Sequence, residues 1–223
     1  MNWILDNLVP PVLRDSEVFM GIWFRLLFGD KAGYFMEFKE RAPRLSQAEY
    51  ERYYQLLKDV HLHRDTDLNR ECIERILERI QGDSVLDVGC GTGYLAARIA
   101  REQGKRVVGV DIAEPGKMEA LPQLTFVRHN VHTLPFDDRS FDTVLCTHTL
   151  EHLPEPLLTV QEMRRVAARR IMVVVPRQRE YRYTFDLHIH FFPYTFSLRR
   201  LMRKDKALCD ILGNDMYYEE DIL

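Results

Sequence analysis

The run Val85-Leu86-Asp87-Val88-Gly89-Cys90-Gly91-Thr92-Gly93-Tyr94 constrains this chain more than any other segment. A short apolar strand passes into three alternating glycines, and a helical pattern (Leu95, Ala96, Ile99, Ala100) follows at once. Glycines at that spacing let backbone N–H groups come close to a ligand that side chains would hold off. Asp87, at the strand end, adds an acceptor where a pyrophosphate needs donors, so it suits a cationic or amino-bearing ligand better. In an open α/β sheet the carboxyl ends of the strands form the ligand crevice.

The surrounding pattern fits such a sheet. Continuous apolar runs, as expected of parallel strands covered on both faces, predict strands at Val85–Val88, Val107–Val110, Leu124–Val127, Phe141–Cys146 and Ile171–Val175. Residues 111–123 leave room for a short helix only, 130–140 read as loop, and Glu155-Pro156 opens a helix running to about Ala168. After Pro176 come a polar-aromatic loop, a helix near Ser197–Arg203, and weak strand candidates at Ala207–Leu212 and Met216–Tyr218. The fold class expected is α/β, a doubly wound, mostly parallel sheet with an N-terminal helical cap.

Residues 1–80 read as helical. Ser46-Gln47-Ala48-Glu49 has the form of a capping box, followed by Tyr50, Tyr53, Tyr54, Leu57 and Val60 on one face. A later helix is marked by Leu68, Cys72, Ile73, Ile76, Leu77 and Ile80, with Asp65, Thr66 and Asp67 as cap candidates. Val18–Phe28 has nine large apolar residues in eleven. That is too short to span a bilayer, which takes roughly 20 residues. It reads as a buried helix, a partner surface, or a helix lying at a membrane interface.

A formal net charge of −3 gives no reason to expect a nucleic-acid partner. Twelve Lys/Arg against three acids between Arg164 and Lys206 predict a solvated basic surface or, alternatively, a site for an anionic acceptor. The four cysteines are scattered and no secretory leader pattern opens the chain, so a cytoplasmic protein with reduced thiols is expected.

The strand–glycine segment resembles motif I of the class I S-adenosylmethionine-dependent methyltransferases. Asp111, eighteen residues after Gly93, ends the second strand, and Asn130-Val131 follows the third. Leu134–Asp142 and His148–Leu153 are similar to that family's run into and out of its fourth strand. The resemblance covers roughly residues 64–200 and implies S-adenosylmethionine as cofactor. It implies that Asp87 bonds the cofactor's amino group, while Gly89, Cys90, Gly91 and Gly93 pass close to its methionine and ribose. Asp111 would hold the ribose hydroxyls, Ile112 and Val131 sandwich the adenine, Asn130 accept from the adenine amino group, Arg64 pair with the carboxylate, and His148 border the methyl group. It also implies a helical cap or lid over residues 1–80 and a Rossmann-like core over 81–223, with an acceptor-side loop at 177–196. The family's sheet finishes with an antiparallel pair, which the weak tail strands suggest is short or incomplete. One rival stands beside this reading: Gly91-Thr92-Gly93-Tyr94-Leu95-Ala96, with Asp111 about 20 residues on, also satisfies the dinucleotide fingerprint.

The acceptor chemistry is expected in Tyr183–Tyr194. If that segment is extended, Asp186, His188 and His190 project to one side. A histidine there would be a base oriented by Asp186, giving O-methylation; the alternatives are a divalent metal held by the three, or a packing role. No Asn/Asp-Pro-Pro-Tyr/Phe follows the fourth strand, since Cys146-Thr147-His148 stands there, and no Pro-Cys pair offers a covalent cysteine. The acceptor expected is a small molecule or saccharide-like compound. A lipid-linked acceptor reached through Val18–Phe28, and a non-catalytic cofactor-binding protein, are the alternatives.

Overall fold

The computed structural model describes residues 8–57, 66–115, 119–204 and 206–222. Seven strands form one sheet: β1 (Ser84–Val88), β2 (Arg106–Asp111), β3 (Leu124–Arg128), β4 (Phe141–Thr147), β5 (Ala167–Pro176), β6 (Leu208–Leu212) and β7 (Asp215–Asp221). Their order is β3-β2-β1-β4-β5-β7-β6. The first five strands pair in parallel, and β7 runs antiparallel between β5 and β6. All five apolar runs thus become strands, in a sheet that reverses direction of winding at β1 and β4.

Alternation along each strand divides the core into two layers. Leu86, Val88, Val144, Cys146, Ile171 and Val173 face one layer, closed by helices Pro156–Val166 and Thr195–Met202. Val85, Leu145, Met172 and Val174 face the other, against helices Arg70–Arg79 and Tyr94–Gln103. Burying each of these side chains contributes about 1.5–3 kcal/mol.

The antiparallel pair is complete, contrary to the sequence expectation. Its seven-residue inner strand extends past the Met216–Tyr218 candidate to carry Glu219 and Glu220. Both are buried because arginines meet them. Arg164 makes two hydrogen bonds to Glu220, and Glu219 takes Arg79 on one side and Arg170, 3.2 Å away, on the other. The same contacts account for much of the basic tail: Arg164, Arg165, Arg169, Arg170 and Arg182 each face a carboxylate. Five of the twelve basic residues are thus held by carboxylates of the fold itself.

Among the described residues, helices α1 (Pro11–Arg14), α2 (Glu17–Phe28), α3 (Ala32–Arg41) and α4 (Gln47–Leu57) form the cap. The capping box forms as expected, with Ser46 N–H donating to Glu49 at 2.8 Å. Met20, Phe24, Phe35, Phe38 and Tyr50 gather into a third apolar cluster with Tyr181, Tyr183 and Leu187 from the loop after β5. The cap is therefore fastened to the 177–196 loop, with Phe24 stacked on Phe185 at 4.7 Å and Lys39 bonded to Glu180. Helix α5 (Arg70–Arg79), placed in the cap from sequence, instead packs in the sheet's second layer. Its cap is Asn69, whose Oδ1 accepts from Cys72 N–H at 2.9 Å, so Thr66 and Asp67 do not serve and Asp65 lies outside the described residues.

Candidate cofactor and acceptor site

The turn after β1 is built from left-handed glycines. Gly89, Gly91 and Gly93 have φ of 74°, 54° and 77°, a region that L side chains enter at a cost. A Cβ on Gly89 would lie 2.2 Å from the Thr149 hydroxyl, whereas one on Gly91 would meet nothing within 4 Å. Gly89 is thus required by the protein's own packing, and Gly91 by an open approach. Gly93 leads directly into helix α6 (Tyr94–Gln103), whose first turn points its N–H groups at the same space. Gly109 on β2 belongs to this set, since a Cβ there would fall 2.8 Å from the Cys90 sulfur.

Two carboxylates flank the turn. Asp111 ends β2 and accepts from Gly91 N–H at 2.9 Å and Ala113 N–H at 3.0 Å, which fixes its orientation. Asp87 is 1% exposed, and its Oδ1 has no hydrogen-bond partner among the described residues. Burial, and then the Asp111 charge, push its carboxyl up to about 7. A buried unpartnered oxygen under an open backbone turn is a site for a donor, and a cationic ammonium meets it best.

Residues 86–173 match the family described as "Methyltransferase domain". Over that segment the chain is similar to S-adenosylmethionine-dependent methyltransferases. Relatives include an "Uncharacterized methyltransferase" of Mycobacteroides abscessus, 36% identical over 134 residues that cover 56% of this chain and 50% of the relative. A "Ubiquinone biosynthesis O-methyltransferase" of Paracidovorax citrulli is 39% identical over 99 residues, covering 40% of this chain and 41% of the relative. The chain thus spans about half, or less, of the length of these curated relatives. In fold it is similar to a SAM-dependent methyltransferase from Aquifex aeolicus, with a TM-score of 0.57 at 16% identity, covering 76% of this chain and 98% of that one. A methyltransferase from Methanosarcina mazei gives a TM-score of 0.51 at 20% identity, covering 71% and 99%.

The remaining residues expected on the cofactor side take the following places. Val131 is buried in the first core layer, and Ile112 is partly exposed just beyond β2. Asn130 Oδ1 accepts from His132 N–H at 2.9 Å, one of the two bonds an amide oxygen can take. Cys90 lies beneath the turn, and burial, with Asp87 and Asp111, drives its thiol up, so it stays neutral. Arg64 lies outside the described residues. His148 has φ of 48°, uncommon outside glycine, and its ring sits 3.3 Å from Asp215 and 3.9 Å from Glu151. Burial opposes charge on that ring, but the two carboxylates outweigh it and raise its pKa.

The acceptor loop differs from its sequence reading. Residues 181–194 hold no strand, so alternation does not align Asp186, His188 and His190. The loop hangs instead on β4's extension, because Ile189 and His190 N–H groups both donate to the Glu151 carbonyl, at 2.8 and 2.9 Å. His188 is buried, and Gln178 orients it in place of Asp186, with Nδ1 2.7 Å from the amide oxygen. His190 Nε2 is buried without a hydrogen-bond partner. Sequence reasoning passed over Glu151 and Gln178. A glutamate beside a presumed helix start reads as surface, and nothing local marks its burial.

The Asp87 environment gives a pH prediction. The groups facing it are Asp111 and the Cys90 and Cys146 thiols, both kept neutral by burial. Its folded pKa, about 7, lies above its ordinary value of 3.8, so only the folded chain holds that proton between about pH 4 and 7. Its contribution to stability therefore declines as pH rises through this window. An ammonium ligand needs the ionised carboxylate. S-Adenosylhomocysteine affinity should fall as pH drops below about 7, by up to about tenfold per unit. Calorimetric titration from pH 5.5 to 8 checks this, and Asp87→Asn should flatten the slope.

Proposed function

We propose that this chain transfers the methyl group of S-adenosylmethionine to an oxygen of a small-molecule or saccharide-like acceptor. The observation that carries the reading is the buried Asp87 Oδ1, without a hydrogen-bond partner among the described residues, beside the bare Gly89–Gly93 turn, with Asp111 fixed at its rim. Asp87 receives the cofactor's ammonium, Asp111 its ribose hydroxyls, and Ile112, Asn130 and Val131 its adenine. The relatives named as O-methyltransferases support oxygen as the acceptor atom.

The sulfonium methyl is already activated, so the protein's task is alignment, exclusion of water and removal of one proton. The acceptor oxygen forms a bond to the methyl carbon as the carbon–sulfur bond breaks, and S-adenosylhomocysteine leaves neutral at sulfur. The hydroxyl proton passes to the histidine loop. His190, with its unpartnered Nε2, takes it, while His188 and Asp186 border the acceptor. The His188→Ala/His190→Ala double variant should lose on the order of 10²–10⁴ in turnover. Its S-adenosylhomocysteine affinity should stay within about twofold. A panel of hydroxylated acceptors supplied with methyl-labelled cofactor tests the reading, and label transfer to none of them counts against it.

A second reading concerns where the acceptor lies. Helix α2 buries Met20 and Phe24 only, and leaves Val18, Ile22, Trp23, Leu26 and Leu27 exposed. The stripe 18-22-26 with 23-27 beside it forms one apolar face. Such a face favours an acceptor linked to lipid, with the helix resting in the headgroup boundary. Among the described residues no helix is long and apolar enough to cross a membrane. Co-sedimentation with anionic vesicles should be lost in Trp23→Glu/Leu26→Glu, with cofactor affinity unchanged. Absence of wild-type binding at low salt would remove this reading.

A further inference from the structure

We propose that Glu151, His152 and His188 bind one divalent transition-metal ion beside the acceptor loop. The cluster lies where the extension of β4 meets the loop after β5, and one ligand atom from each residue falls within 4.8 Å of the others. Glu151 has no exposed surface, and among the described residues neither of its carboxylate oxygens has a hydrogen-bond partner. An ionised carboxylate buried in that way is costly unless a cation or a proton meets it. Its nearest ring nitrogens, His148 Nδ1 and His152 Nε2, both stand at 3.9 Å, beyond hydrogen-bond reach.

The histidines are arranged as metal ligands are. A carbonyl oxygen can only accept, so His152 Nδ1–H donates to the Leu187 carbonyl at 2.9 Å, and Nε2 carries the lone pair. His188 Nδ1–H likewise donates to Gln178 Oε1 at 2.7 Å, and Gln178 in turn donates to the Tyr181 hydroxyl. Each imidazole therefore gives its outer N–H to an oxygen and keeps one basic nitrogen, the second-shell pattern that fixes tautomer and ring plane around bound metals. The two rings pack edge to face at 4.7 Å, and Glu151 beside them is fully buried. The alternative drawn from sequence is a metal held by Asp186, His188 and His190. Only His188 is common to both, and Asp186 contributes negative charge near Glu151.

Two imidazoles and one carboxylate select zinc, manganese, iron or cobalt over calcium and magnesium, which favour oxygen donors. Bonds of about 2.0–2.2 Å to a shared ion draw the three donors together, a contraction within reach of side-chain torsion. Three protein ligands leave coordination positions open. Resting on the methyl-transfer reading, we assign one of those positions to the acceptor hydroxyl, whose proton a bound cation makes easier to remove.

The test uses untagged full-length protein freed of metal with a chelator, then titrated with Zn2+ and, for spectroscopy, Co2+. One ion per chain is expected, with Co2+ absorption bands of a low-symmetry nitrogen–oxygen site. Glu151→Gln and His188→Ala should each weaken binding at least 100-fold, and Gln178→Leu about tenfold to 100-fold through loss of ring orientation. S-Adenosylhomocysteine affinity and the melting temperature, measured on every variant, report folding. Should Glu151→Gln not fold, the Gln178→Leu series decides alone. Absence of a stoichiometric ion, or equal binding in wild type and variants, overturns the metal site and leaves the methyltransferase reading standing if S-adenosylhomocysteine still binds. Metal binding without S-adenosylhomocysteine binding does the reverse.

Discussion

Alanine at Asp111 should abolish cofactor binding more completely than any other single truncation. In the proposed function the carboxylate accepts from two ribose hydroxyls, beside the Gly91 and Ala113 N–H groups that it already holds. Hydrogen bonds to a charged partner contribute about 1.5–3 kcal/mol each. Losing two such bonds corresponds to at least about 100-fold in affinity. The turn also loses an anchor, so the ligand meets a less ordered backbone. Calorimetry with S-adenosylhomocysteine against wild type and Asp111→Ala reads this directly. Retention of affinity within tenfold would place the ribose elsewhere, and with it the reading of the glycine turn.

The second large effect is on stability. Gly89→Ala forces a side chain into φ of 74° and drives its Cβ to 2.2 Å from Thr149. The left-handed conformation alone costs about 1–2 kcal/mol. Overpacking adds about 1–3 kcal/mol. Thr149 cannot step aside cheaply, since its hydroxyl is tied to the Thr147 carbonyl at 3.0 Å. A fall of roughly 10 °C in melting temperature is expected for a chain of this size. Gly91→Ala, where the added carbon meets nothing, should cost only the conformational part and show its main effect on ligand affinity. The two glycines look alike in sequence, yet one serves packing and the other approach. Equal melting temperatures for the two variants would remove that distinction.

The cap shows a further division between local and long-range information. The Ser46–Glu49 box is written in four consecutive residues and forms as read. The cap of helix α5 is not, because Asn69 was chosen over its acidic neighbours by its tie to the Leu212 carbonyl and Asp215, 143 and 146 residues away. The antiparallel edge was misjudged for the same kind of reason. A strand carrying Glu219 and Glu220 becomes internal only when Arg79, Arg164 and Arg170 arrive from three other elements. Local polarity cannot register such pairings.

By itself the sequence determined the five parallel strands, the glycine turn between β1 and α6, and the two carboxylates beside it. Each of these depends on apolar period, backbone freedom or spacing within a few residues, which the chain states directly. The tertiary structure alone decided that Glu151 is buried with no hydrogen-bond partner among the described residues, that Gln178 bonds His188, and that His152 lies beside them. Those facts arise because two N–H groups of the 181–194 loop hang on one carbonyl beyond β4. Such a contact joins distant segments and leaves no periodic mark in either of them.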